Sequence, residues 1–158
     1  MRYNKLYWSI RITACLLIIV VAMPIQAVQI REFPMYHLKD ASIATYDQFG
    51  PVIYYNPQIL RTLGPQISEF VRAHEHAHHF LQHMHREKLS TRTTDVAKLR
   101  RIFELEADCY AAKKVARHIA LAAANNFSDT QGLRRPDKNH PTGNERAAVI
   151  RQCSKISS

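Results

Sequence analysis

His74-Glu75-His76-Ala77-His78 and Glu104-Leu105-Glu106-Ala107-Asp108, with Glu104 26 residues after His78, are the two stretches on which the reading of this chain turns. The first is an H-E-x-x-H pentad. Side chains four apart on an α-helix sit one above the other, so His74 and His78 converge on one point from a single rigid support. Glu75 lies about 100° round the helix from His74, beside that point. In the second stretch Glu104 and Asp108 are also four apart and share a face, from which Glu106 points away. Two imidazoles and one carboxylate make the donor set of an open zinc site. The spacing therefore predicts one Zn2+ held by His74, His78 and Glu104. Asp108, one turn further on, is expected to accept the ring N–H of a ligating histidine, His74 first, and fix its tautomer. Glu106 competes with Glu104 as third ligand, and helix phase argues against it.

The combination of H-E-x-x-H with a helix reading E-x-x-A-D resembles the gluzincin metallopeptidases, and among them the HtpX-like and CAAX prenyl endopeptidase family. In those proteins the first Glu of the second motif is the third zinc ligand. His140-Pro141 with Arg146 resembles, more loosely, their His-Pro segment and downstream Arg. The likeness runs over residues 52–150, although the chain is shorter than the membrane-embedded members and lacks their transmembrane helices. It implies an α+β fold of a minimal zincin type: a small β-hairpin or sheet packed on a metal-binding helix pair, with a C-terminal helix. It also implies a zinc-dependent metalloendopeptidase acting on a peptide or protein substrate.

Glu75 is the expected general base, taking a proton from a zinc-bound water and passing it to the leaving amine. A group to stabilise the oxyanion is still needed, and the candidates are His140, Arg146, Tyr54 and Tyr55, with His140 first by resemblance. His76, His79, His83 and His85 crowd the motif. A non-catalytic, His-rich metal buffer or chaperone is therefore the alternative reading, but it has no need of Glu75 or of the acids on a second helix. His79, His83 and His85 are each expected to be solvated helix residues.

Residues 1–27 read as a secretory signal. Arg2, Lys5 and Arg11 form a basic start, residues 12–23 are apolar, and Ile25-Gln26-Ala27 follows Pro24 as a cleavage site. An uncleaved membrane anchor is the alternative. The expected location is the periplasm or beyond, with a single domain over residues 28–158. The first 27 residues carry no acid, so the +9 of the full chain falls to +6 without them. The basic residues are scattered, as on a solubilising surface. No aromatic and basic interleave points to nucleic acid. Cleavage also removes Cys15, leaving Cys109 and Cys153, for which one disulfide and two buried thiols are both open readings.

Residues 42–46 and Val52-Ile53-Tyr54-Tyr55 are β-rich and flank turn chemistry at residues 47–51. In gluzincins a strand just upstream of the metal helix aligns the peptide. The resemblance implies a substrate edge at Val52, Ile53, Tyr54 and Tyr55, with Arg146 as a further substrate contact; strands that only cover the helix are the alternative. A short helix is expected from Asn56-Pro57 to Leu63, then the metal helix from Pro65 to about His85. A long helix capped by Thr94 or Asp95 should run to about Ala122. Residues 125–139 read as a loop, and Thr142 to Glu145 as a capping box opening a last helix with Ala147, Ile150 and Cys153 inward.

Overall fold

Arg31–Pro34 (β1), Ser42–Asp47 (β2) and Gly50–Tyr55 (β3) form a mixed sheet in the order β1-β3-β2. The computed structural model describes residues 29–90, 95–131 and 138–155. The expected hairpin is β2 and β3, antiparallel from Ser42↔Tyr55 to Asp47↔Gly50. Its turn is set locally. Asp47 accepts the Phe49 N–H at 2.8 Å, and Gly50 takes φ +114°, where a Cβ would be strained.

The expected substrate edge on β3 is corrected by the sheet order. β1 runs parallel to β3, pairing Arg31↔Val52 through Pro34↔Tyr55, so Val52-Ile53-Tyr54-Tyr55 is the central strand with neighbours on both sides. Val52 and Ile53 are buried. A central strand has no unpaired backbone row to offer a peptide, and the edge next to the metal helix belongs to β2. β1 escapes a reading of the sequence because it is four residues long and its parallel pairing is non-local.

Six α-helices follow among the described residues: Pro57–Leu63 (α1), Pro65–Phe80 (α2), His83–Ser90 (α3), Val96–Lys114 (α4), Arg117–Asn126 (α5) and Gly143–Cys153 (α6). The architecture is α+β, with the sheet on one side of α2 and α4, α5 and α6 gathered on the other. Asn56 caps α1 through its side-chain oxygen and ties down the preceding loop by donating to the carbonyls of Tyr36 and Leu38. Asp95 caps α4, accepting from Ala97 and Lys98, whereas Thr94 lies outside the described residues. Thr142 and Glu145 form the full capping box of α6.

Two expected helices are broken. α2 stops at Phe80, five residues short of His85, and Gln82 adopts φ +56° before α3 begins. The long helix divides at Val115, which is extended at φ −89°, ψ 163°. The division lets Ile119, Ala120, Ala123 and Ala124 turn back into the core beside Phe70 of α2 and Ala147 and Ile150 of α6. Burying that alanine-rich face outweighs the propensity to continue. Nor are residues 125–131 a plain loop, while residues 132–137 lie outside the described residues. α5 reaches Asn126, a π-helical turn spans Phe127–Gln131, and Phe127 is buried edge-on against Phe70 at 6.4 Å.

Cys109 on α4 and Cys153 on α6 are joined by a disulfide, with Cα atoms 5.3 Å apart across a sequence separation of 44. A link of that span removes much of the unfolded chain's freedom, for which about 2–4 kcal/mol is typical. Urea titration of the Cys109→Ser/Cys153→Ser double variant is expected to show a loss of that size. The expected signal, residues 1–27, lies outside the described residues, and no described helix is long and apolar enough to cross a membrane.

Candidate metal centre

α2 and α4 pack side by side and bring the two sequence stretches together. His74 Nε2 lies 3.1 Å from His78 Nε2 and 3.3 Å from Glu104 Oε2, and His78 Nε2 lies 3.4 Å from Glu104 Oε1. Among the described residues this is the one group of three or more His, Cys, Asp or Glu whose donor atoms gather closely enough to hold a metal ion. Nitrogen and oxygen donors placed tetrahedrally 2.0–2.1 Å from an ion stand about 3.3 Å from one another. The donor set and its spacing fit such an ion.

Behind His74 lies a buried ion pair. Asp108, fully buried, sits with Oδ1 2.9 Å from His74 Nδ1. A carboxylate only accepts, so Nδ1 carries a proton and Nε2 is the nitrogen turned to the shared point. Arg146 grips Asp108 with two bonds of 2.7 Å, from Nε to Oδ2 and from Nη2 to Oδ1, and its guanidinium lies 4.0 Å from the Phe127 ring centroid. Burial alone would raise the Asp108 carboxyl, but Arg146 and His74 outweigh it and hold it below its ordinary value. Glu104 is held well down in the same way. Its burial is opposed by hydrogen bonds from His74 and His78 and by the charge of Arg146. For His74, burial disfavours charge, yet the bonds to Asp108 and Glu104 push it up to about 10. An ion entering the centre would take the place of the Nε2 proton between His74 and Glu104.

Glu75 is nearly buried and lines the same cleft of about 820 Å³. Its carboxylate is positioned by β2, accepting from Ser42 Oγ at 2.8 Å and from the Ala44 N–H at 2.7 Å. The edge strand therefore holds the expected base in place. Sequence reading missed this contact, because nothing in a hairpin announces which outward N–H meets a side chain more than thirty residues away.

Four residues were candidates for the one group that stabilises the oxyanion. His140 lines the cleft. Arg146 also borders it, with Nε and Nη2 of its guanidinium bonded to Asp108. Tyr54 stands in register with Phe33 and Ile43, both exposed, on the sheet face away from α2, and Tyr55 borders a separate hollow with Pro57 and Ser68. Neither tyrosine lines the metal cleft.

The surplus histidines have individual places. His76 bonds Glu32 at 2.7 Å, and His85 is exposed. His79 is buried instead of solvated, meeting the Val52 carbonyl at 3.1 Å and the Tyr46 ring edge-on. His83 is buried too, at 2% exposure, with its ring stacked on Phe103 at 4.4 Å. Burial and the neighbouring His78 push it down to about 4. Glu106, the competing ligand candidate, turns to Arg86 and His83. Comparison with known proteins adds no assignment: no family model, curated protein or solved structure matches the chain.

Proposed function

We propose that this chain is an exported zinc metallopeptidase of the cell envelope, built on a minimal zincin-type scaffold of the gluzincin kind. The observation that carries the reading is the set of 3.1, 3.3 and 3.4 Å separations among His74, His78 and Glu104, with a base candidate in the same cleft. Two imidazoles and one carboxylate also serve ferrous oxygenases, but a buried carboxylate beside the ligands is what hydrolysis requires. A metal buffer needs many open donors. Here His76, His79 and His83 are each engaged with a partner inside the protein.

His74, His78 and Glu104 would hold the ion, which when bound polarises a carbonyl and lowers the pKa of water. Glu75 takes a proton from the attacking water and delivers it to the departing amine nitrogen, so that one C–O bond forms as one C–N bond breaks. Asp108 keeps His74 in the ligating tautomer, and Arg146 keeps Asp108 charged. The substrate peptide lies extended along the outer edge of β2, where Ser42 and Ala44 line the cleft. His140, on the cleft wall, stabilises the developing oxyanion.

Stripping the metal with a chelator is expected to abolish hydrolysis of an unfolded protein substrate such as casein, and added zinc to restore it. Proteolysis indifferent to chelation would overturn the proposal.

A further inference from the structure

Two of the three ligands at this centre are histidines, and the sequence supplies an evident orienting carboxylate for only one of them. Asp108 serves His74. Behind His78 lies another histidine: His83 Nδ1 is 3.0 Å from His78 Nδ1, and His83 Nε2 is 3.0 Å from Glu106 Oε2. Glu106 in turn accepts from Arg86 Nη1 at 2.6 Å and from Nη2 at 3.3 Å.

The direction of every proton along this chain follows from its two ends. Arg86 keeps Glu106 ionised, and an ionised carboxylate only accepts, so His83 Nε2 is the donor. At the near end an ion held at His78 Nε2 leaves that nitrogen without a proton, so the ring carries it on Nδ1, and a His83 that donates from Nε2 accepts it at its own Nδ1. His78 Nδ1 must then be the donor in the 3.0 Å contact, which leaves the lone pair of His78 Nε2 facing His74 and Glu104. We infer that His83, anchored by Glu106 and Arg86, is a positioning residue that fixes the ligating tautomer of His78. It thereby extends the carboxylate and histidine pairing behind His74 by one further imidazole. The inference rests on the reading of His74, His78 and Glu104 as a metal centre.

The broken helix supports this assignment. On an uninterrupted helix His83 would stand about 140° round from His78, facing elsewhere. The helix ends at Phe80, and the left-handed turn at Gln82 (φ +56°) swings His83 back against His78. Phe103 on α4 stacks on the His83 ring with 8° between the planes, and the Arg86 guanidinium lies 4.5 Å from the same Phe103 ring. A side chain held on its ring face and at both nitrogens has one orientation. Losing such a partner typically weakens metal affinity 10–100-fold.

Imidazole nitrogen NMR on the zinc-loaded wild-type chain should find His83 neutral with its proton on Nε2. Finding the proton on Nδ1, or on both nitrogens, overturns the relay whether or not any peptide is cleaved. Zinc titration without substrate gives the second readout. His83→Phe, which keeps the stacking on Phe103, is expected to bind zinc 10–100-fold more weakly. His83→Gln, whose amide can accept from His78 and donate to Glu106, should recover most of that loss. Unchanged affinity in His83→Phe overturns the relay while leaving the peptidase reading intact. Weakened affinity in a chain that hydrolyses no peptide sustains the relay and removes the peptidase.

Discussion

Glu75→Gln is expected to reduce peptide hydrolysis by about 10²–10⁴-fold, the usual contribution of a positioned general base, while zinc stays bound. Glu75 is not among the three converging donors, so metal affinity should be nearly unchanged. The amide is close to the carboxylate in shape, and its oxygen can still accept from the Ala44 N–H while its NH2 donates to Ser42 Oγ. The edge of β2 therefore keeps its partner and the fold is retained. Parallel measurement of kcat and zinc content separates the effects. A variant that retains full turnover would remove Glu75 from the mechanism.

Arg146→Met is expected to destabilise the chain by about 3–5 kcal/mol, because it leaves the fully buried Asp108 charged and without its two strongest hydrogen bonds. Against a total stability of about 5–15 kcal/mol for an ordinary domain, that is a large fraction. The pH dependence has a definite sign. In the wild type Asp108 lies below its ordinary value, so its contribution is present above the unfolded value of about 3.9 and is lost as pH falls through the folded one. In the variant only His74 opposes burial, so the carboxyl lies higher than in the wild type and its protonation costs the fold less. The gap between the two proteins should thus narrow from pH 7 toward pH 4. Asp108→Asn combined with Arg146→Met should cost less than Arg146→Met alone. Urea unfolding of the metal-free proteins across this range measures all three. A gap that widens with acid would contradict the pairing.

The parts of the site that depend on position along one helix were legible in the sequence, because a four-residue spacing is a local fact. His74 and His78 on α2, and Glu104 and Asp108 on α4, stand on the faces their spacing requires. The cap at Asp95, the capping box at Thr142 and Glu145 and the turn at Gly50 are likewise local. What was hidden depends on contacts between distant segments. β1 pairs with β3 across some twenty residues of chain and converts the expected edge into a central strand. Gln82 is neither Gly nor Pro, and nothing adjacent announces its turn. The turn is held from α4, where Phe103 and Glu106 receive His83. Arg146 was visible as a cation near the end of the motif, but its commitment to Asp108 follows only once α6 packs on α4. The split at Val115 belongs to the same class, since an alanine-rich segment continues as a helix unless the core gives its small face a closer fit.

Metal content of the purified chain, read against Glu104→Ala, tests the central claim most directly. The account predicts about one zinc per chain in the wild type and its loss when the carboxylate from α4 is removed. Several ions bound with graded affinity, or one ion held as tightly in Glu104→Ala as in the wild type, would contradict a centre shared between α2 and α4.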